Sequence, residues 1–546
     1  MVKKYWLELL VFGTIFAVLL NCNLPGMTWI NTDSDGAHYI LSAKYMGVAH
    51  NTSAPLYLLL GRLFLFIPLG TDAWRMGLIS VFSTTIACVF IYMIVRYYVS
   101  NKWYALISSL IYGGSALVIS QSTIIETYAL STCLSLAAYY FSLRKRWVLS
   151  CVFMGLILAI HPLFFGMVWF VMVIAHKELR SVKLVALTWA FLAFYAYIPL
   201  TRIYGGVPSM WGNTTIAGFF KNNFGTMWML CGGLSLYDIP KRILDTILIM
   251  GISMGLSLFV VIWYFIKQKT CRSKLLWLFV IPVFYFIINL SAETYVYMIP
   301  AVAFGAVASG IAFVKLNKKI VYAVAVSAVA LTGFNAYYLD IGRTLDPNLS
   351  AQKYYDEELP KIQDGEIYLG GGWTWAICYL FNKENNRNII PVCTDILPSQ
   401  EYLDIAEFNG IKLTRTNSES FIDKQWLVAK SIVEQNDNVW LAKEINPATL
   451  EYEIVPGKEN MWLIDRWLGY EVSPGIAWKP SNPYAFITGA LEVGEWKFIL
   501  KSNHNARLAI IWTVYALGFY WLMEKLFKRK KYVSVKAKKE DTATTR

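Results

Sequence analysis

Two carboxylates, Asp33 and Asp35, stand directly after the first long apolar run of the chain, and two histidines, His38 and His50, follow in the same stretch. Glu126, His161, Arg202 and Glu293 interrupt or flank later apolar runs. Ionisable groups beside hydrocarbon are costly unless solvated, paired or functional. Gathered at one mouth of a helical bundle, this set suits group transfer from an anionic lipid-phosphate donor. A carboxylate would act as general base on an acceptor hydroxyl, which is a poor nucleophile until its proton is removed. Arginine would hold the donor phosphate, because its planar fork matches phosphate oxygens and stays charged. The same fixed positive charge would stabilise the phosphate as it leaves.

Each residue also has a structural alternative. Asp33 and Asp35 are favoured N-cap types and could cap a helix that starts near Gly36. Glu126 could cap or solvate a helix end, and His161, just before Pro162, could be a turn residue. Arg202 could anchor a span at the head groups.

The elements that must position these groups are membrane helices. The chain is 56% hydrophobic and 16% aromatic, with only 16% charged residues, and its mean hydropathy is +0.45. A soluble protein carries roughly a quarter charged residues, so repeated apolar runs near the length of a span define a polytopic membrane protein. The net charge of +13 does not point to nucleic acid, because the basic residues punctuate the apolar runs and do not line one soluble surface. No C-x-x-C or zinc spacing appears among the eight cysteines. Cys378 and Cys393 share a soluble segment and leave two readings open, a disulfide or two buried thiols.

Apolar runs and basic turns predict the topology. The basic start MVKKYW places the N-terminus in the cytoplasm, and run 5–22 reads as a retained signal anchor. The first outer loop, 23–76, holds a short helix over 37–48 and an interfacial or re-entrant apolar segment over 55–69. The stretch 147–176 is broken at His161-Pro162 and reads as two short spans. Single spans are expected over 77–95, 104–119, 127–143, 184–200, 244–266, 275–291, 294–314, 320–338 and 506–527. The sum is about twelve helices with both termini cytoplasmic. The turns at 96–102, 144–146, 177–183, 267–274 and 315–319 are basic, with Glu178 as their only acid. Asp33, Asp35, Asp72, Glu126, Asp238 and Glu293 all fall on the other face. Compact loops and the absence of sorting signals suggest a plasma (inner) membrane.

Four regions follow: a transmembrane catalytic part over 1–338, a soluble extracytoplasmic α/β domain over 339–505, a last helix over 506–527 and a basic cytoplasmic tail over 528–546. In the second, GEIYLGGGWTWAICYLFNKENNRNIIPVCTDIL orders strand, glycine turn, helix and strand, a βαβ-like unit. Gly370-Gly371-Gly372 reads as a tight strand-to-helix turn and not a phosphate loop, because no Lys-Ser/Thr pair follows.

At these residues the sequence resembles the GT-C superfamily of membrane glycosyltransferases, and in particular the transmembrane protein 260-like family. The family opening D-S-G-E-L, followed by L-G-V-A-H-P-P-G-Y-P-L, stands here as DGAHYILSAKYMGVAHNTSAPLY and aligns its aspartate with Asp35. SQSTIIETYAL matches S-Q…E-x-Y-x-L and aligns the second acid with Glu126. AIHPLFF carries His161, and YIPLTRIYGGVPSMWGN matches Y-x-P-L-R…W-G-D-P, contributing Arg202 and Trp211. The match runs over about residues 27–225. The departures are His38 for the family glutamate, Asn51 to Ala54 for P-P-G-Y, Asn213-Thr214 for D-P, and GGGWT for G-D-N-D-T.

The resemblance implies an active site in the first outer loop and a polyprenyl-phosphate-linked sugar as donor. The acceptor would be a hydroxyl on a protein, or on a surface glycan or lipid. Mannose transfer to Ser/Thr hydroxyls is the family's reaction, and metal use varies across the superfamily, so a divalent ion stays open. In that reading Asp35 is the general base and Glu126 its supporting acid. Arg202 contacts the donor phosphate, His161 assists at the donor and Trp211 stacks on a sugar or prenyl segment. Asp33, His38, His50 and Glu293 are accessory. Two rivals stand beside it. A transporter or flippase would need ionisable groups near mid-membrane, alternating between faces, and the apolar runs are almost free of them. A non-catalytic assembly protein would account for the departures, but Asp35 and Glu126 are kept.

Overall fold

The structure is a computed structural model that describes residues 2–27, 35–49, 54–203, 239–267, 274–288, 294–344, 350–394, 397, 400–416, 421–446, 451–461 and 463–464. Asp33, His50, Trp211, Glu293, run 506–527 and tail 528–546 lie outside the described residues.

The first helix, α1 (Val2–Asn21), leads into two short helices, α2 (Gly36–Tyr45) and α3 (Pro55–Leu65). Neither is long enough to span hydrocarbon, which takes about 20 residues. The next helix, α4 (Asp72–Tyr98), is the longest of the N-terminal half: 27 residues, or about 40 Å at 1.5 Å per residue. Its start is defined by Thr71, whose hydroxyl accepts from Trp74 N at 3.1 Å. Asn101 plays the same part for α5 (Lys102–Gly113), accepting from Trp103 N at 3.1 Å. These caps satisfy backbone donors that the first helical turn leaves open.

The expected single span over 104–119 is bent. It divides into α5 and α6 (Ala116–Ser122), which meet at 64°. Then come α7 (Tyr128–Leu143), α8 (Trp147–Leu158) and α9 (Pro162–Ala175), the last pair separated at His161-Pro162. Pro162 opens α9, where its missing N–H is not needed. Next, α10 (Val182–Trp189), a 3₁₀ segment and α11 (Tyr197–Ile203) form one continuous helical run.

The expected span 244–266 is also broken. It consists of α12 (Ile239–Met254) and α13 (Leu256–Lys267), which diverge by 112°. Gly255 sits between them at φ +54, a left-handed conformation that glycine adopts without a Cβ penalty. Three more helices complete the described bundle: α14 (Lys274–Ile288), α15 (Ile299–Ala312) and α16 (Lys318–Thr344). The sequence of α15, IPAVAFGAVASGIA, is rich in small residues and almost wholly buried. A Cβ at Gly310 would stand 2.2 Å from Ser108 Oγ and 2.9 Å from Val95, so this glycine is what lets α4 and α5 approach.

Among the described residues three helical segments are long and apolar enough to cross a membrane, or five if each bent pair is one span. Shorter apolar helices accompany them. The chain is a multi-pass helical membrane protein.

Residues 350–464 add a four-stranded sheet in the order β2-β1-β3-β4. Strand β1 (Ile367–Gly370) connects through α17 (Gly372–Asn385) to its parallel neighbour β2 (Ile390–Cys393). On its other side β1 pairs in parallel with β3 (Val439–Asn446), which pairs antiparallel with β4 (Glu451–Pro456). Two further helices, α18 (Gln400–Phe408) and α19 (Phe421–Gln435), lie in the β2–β3 connection. Strand β1 is buried on both faces. Ile367 and Leu369 join one apolar cluster with Val428 and Ile432, while Tyr368 joins the core that runs into the helical bundle. Cys378 is a buried free thiol, so no disulfide joins it to Cys393.

Candidate active site

Helix connectivity defines the two ends of the bundle. One end collects the C-terminus of α1, the start of α2, the α6–α7 turn and the α8–α9 turn. The turns are tied there by backbone bonds: Leu24 N donates to Thr123 O at 3.2 Å and Leu56 N to Ala159 O at 3.2 Å. Side chains add to this, with Tyr195 Oη donating to Leu158 O at 2.9 Å and Tyr197 Oη to Gly47 O at 3.0 Å. The sequence-predicted candidates Asp35, Glu126 and His161 all belong to this end.

Asp35 occupies the position before α2, yet its side chain makes no capping bond to the helix. Partly exposed, it stands at the mouth of the bundle. Burial of its carboxyl pushes the pKa from 3.8 up to about 7, because removal from water disfavours the charged form.

Glu126 lies in the turn between α6 and α7 and is 1% exposed. Its Oε2 accepts from Thr127 N at 3.3 Å, and its carbonyl accepts from Ser80 Oγ of α4 at 3.2 Å. Solvation of a helix end is therefore not its role.

Tyr39 joins the two acids. It follows Asp35 by one helical turn on α2 and is fully buried. Burial raises the pKa of its hydroxyl well above the ordinary value, and the charges of Glu126, Asp35 and Tyr57 add to the rise in that order. A side-chain hydrogen bond with Thr127 acts the other way. The Tyr57 ring packs against Tyr39 at 4.9 Å, edge to face.

His161 is buried in extended backbone at φ −146 before α9 and makes no capping bond. Its ring lies 4.9 Å from Phe164, 5.6 Å from Tyr297 and 6.0 Å from Tyr128. Tyr128 is two residues beyond Glu126, so this aromatic box adjoins the acids. His38 is buried and meets Trp375 of α17 edge-on at 6.1 Å. Arg202 lies on α11, and its side chain is outside the described residues.

Sequence reasoning missed Tyr39, Tyr57, Tyr128, Tyr297 and Arg242. The i+4 spacing from Asp35 to Tyr39 was the one available signal. Arg242 precedes the expected span 244–266 but lies within α12, where it is 7% exposed and stacks on Phe286 of α14 at 5.0 Å. Next to Phe286, Tyr285 packs on Tyr297 at 5.2 Å, which links Arg242 to the box around His161. Among the described residues no group of three His, Cys, Asp or Glu is arranged to hold a metal; Asp33 and Glu293 are outside them.

The arrangement can take a proton at Asp35, hold a hydroxyl near Tyr39 and Glu126, and stack a ring in the box around His161. Residues 35–185 match the family described as the protein O-mannosyl-transferase TMEM260 N-terminal domain. The protein O-mannosyl-transferase tmem260 of Dictyostelium discoideum is 26% identical over 267 residues, covering 41% of this chain and 32% of that protein. The chain thus matches about a third of the length of that curated relative. Among solved structures, ArnT from Cupriavidus metallidurans bound to undecaprenyl phosphate is similar at TM-score 0.46 and 12% identity, over 77% of this chain and 97% of that one. The Archaeoglobus fulgidus oligosaccharyltransferase tethered to an acceptor peptide gives 0.45 and 13%, over 84% and 75%.

Proposed function

We propose that this chain, whose residues 35–185 belong to the TMEM260 protein O-mannosyl-transferase N-terminal domain family, is an integral membrane glycosyltransferase. It moves a sugar, with mannose the first candidate, from a polyprenyl-phosphate donor to a hydroxyl of a protein, surface glycan or lipid. The active site opens at the outer face of a plasma (inner) membrane. One observation carries the reading: Asp35 and Glu126, both inside the family match, come from separate turns at one end of the bundle, and buried Tyr39, one helical turn beyond Asp35, hydrogen-bonds Thr127, the neighbour of Glu126.

In the proposed step the acceptor oxygen forms a bond to the anomeric carbon while the bond from that carbon to the donor phosphate oxygen breaks. The acceptor proton passes to Asp35, and the electron pair leaves with the phosphate. A base with a pKa of about 7 is matched to neutral pH. Glu126 and Tyr39 orient the acceptor. Arg202 and Arg242 hold the donor phosphate and stabilise its growing charge. His161 and its aromatic neighbours hold the sugar, as aromatic faces do, and Trp211 provides a further stacking face. The sheet region after residue 350 selects the acceptor through α17, whose Trp375 reaches α2 at His38.

The test is transfer of mannose from a polyprenyl-phosphate donor by purified protein and by Asp35→Asn. The variant should lose at least about a hundredfold in rate, the usual contribution of a general base, with an unchanged elution profile. Wild-type rates in the variant would remove Asp35 from the mechanism.

A further inference from the structure

The opposite end of the bundle holds a second, unrelated arrangement. Glu8 of α1, Tyr92 and Arg96 of α4, Lys102 of α5, and Tyr140 and Arg144 at the end of α7 line an open cavity of about 570 Å³. It is remote from the candidate active site. Ser80, which bonds the Glu126 carbonyl, and Arg96 are on the same helix, 16 residues apart and so about 24 Å along its axis.

The cavity carries three cations and one carboxylate, so its net charge selects an anion. The guanidinium of Arg96 bonds the carbonyls of Val99 and Ser100, which braces its side chain at the end of α4. Lys102 Nζ lies 3.5 Å from Glu8 Oε1, and Arg144 lies over the Tyr140 ring at 5.9 Å. Arg144 is exposed, so its charge faces the opening. Glu8 is the informative member. It is only 8% exposed, and its Oε1 accepts from Tyr92 Oη at 2.9 Å. Glu8 lines the cavity, and its Oε2 is buried with no hydrogen-bond partner among the described residues. A buried carboxylate oxygen without a donor is costly, so an occupant that supplies one is favoured. A simple anion cannot do this. Tyr97, which lines the cavity and is 47% exposed, is an amphipathic aromatic of the kind expected at head-group depth.

We infer that this cavity binds the phosphodiester head group of a phospholipid that also carries a hydrogen-bond donor, an ethanolamine ammonium or a glycerol hydroxyl. The phosphate sits among Arg96, Lys102 and Arg144, and the donor turns inward to the Glu8 carboxylate. Basic pockets between helices at a membrane surface are the usual receptors for lipid phosphate, and the buried acid adds selectivity for the second group. This site is independent of the transferase reading.

Binding of dioctanoyl phosphatidylethanolamine, phosphatidylglycerol and phosphatidylcholine to the full chain in detergent, followed by native mass spectrometry, tests it. Phosphatidylethanolamine and phosphatidylglycerol should bind more tightly than phosphatidylcholine, which has no donor. Arg144→Gln, at an exposed helix end, should weaken all three on the order of tenfold, the value of one charge-assisted hydrogen bond. Glu8→Gln should erase the preference over phosphatidylcholine without weakening phosphatidylcholine itself, because Lys102, released from Glu8, stays beside the phosphate. Equal binding of the three lipids by wild type, or no change in Arg144→Gln, overturns the inference. Competition by glycerol 3-phosphate as strong as that of the lipids overturns the lipid assignment and gives the site to soluble phosphate esters.

Discussion

At the residue scale the most informative group is Asp35. Its carboxyl, pushed up to about 7 by burial, is largely protonated at pH 5 and ionised at pH 8. If the ionised form is the base, kcat/KM for transfer rises with pH through an inflection near 7. Asp35→Asn has no such inflection. The same shift has a stability consequence of opposite sign. A carboxyl raised above its unfolded value binds its proton more tightly in the folded state, so stability falls as pH rises from about 4 to about 7. Asp35→Asn, which stays neutral, should therefore melt at a higher temperature than wild type at pH 8 and at nearly the same temperature at pH 4. A structural aspartate with an ordinary pKa would give no such divergence. Asp35 was legible in the sequence, because a carboxylate at a span boundary is conspicuous. Tyr39 and Arg242 were not: a tyrosine in an apolar helix looks like core, and an arginine at the edge of a run looks like an anchor. Only packing showed the first beside two acids and the second buried on Phe286.

At the scale of elements, most helix positions could be read from apolar runs, and the break at His161-Pro162 follows from proline chemistry. The break at Gly255 was not read. One glycine inside an apolar run is compatible with a straight helix, and the choice depends on what surrounds it. Here Gly255 N donates to Gly251 O at 2.7 Å to close α12, and Leu258 N donates to Gly255 O at 3.1 Å as α13 departs. A Cβ on Gly255 would lie 2.5 Å from Leu331 Cδ1 and 2.8 Å from Ser327 Oγ of α16. Gly255→Ala should cost about 1–2 kcal/mol for the left-handed backbone alone, more with the contact to α16. A lowered melting temperature in detergent would register it, and an unchanged one would mean that the bend is not held by this residue.

At the scale of the molecule, the bundle and the sheet region share a hydrophobic core. Tyr354, Tyr368, Trp375 and Ile377 belong to the same cluster as Leu7, Val95 and Phe304. Lys44 reinforces the junction, bonding Asp72 of α4 at 2.7 Å and also Glu384 of α17. Burial acts against its ammonium, but the two carboxylates outweigh it, and its pKa lies above the ordinary value. Lys44→Met should leave the bundle folded, since a partly exposed ion pair contributes only about 0–1 kcal/mol. It should nevertheless speed proteolytic cleavage between α17 and β3 and lower transfer, because α2 carries Asp35 at its other end. Equal cleavage rates in wild type and variant would show that the apolar contact holds the junction without the ion pairs.

What the sequence determined by itself was the class of molecule and the chemical cast. Apolar runs near span length can be satisfied only by helices in lipid, and acids at the ends of those runs are rare enough to stand out. The order of strand, glycine turn, helix and strand at 366–394 was equally local, since each part is specified by its own residues. The tertiary structure alone decided which of those residues meet. Asp35 and Glu126 are separated by five helices in the chain, and they reach the same end of the bundle because α2, through the Tyr39–Thr127 hydrogen bond, is tied to the α6–α7 turn. Glu8, Arg96, Lys102 and Arg144 meet for a similar reason, through the packing of α1, α4, α5 and α7. Such meetings depend on side-chain volumes and close approach across helices, which no local pattern of residues encodes.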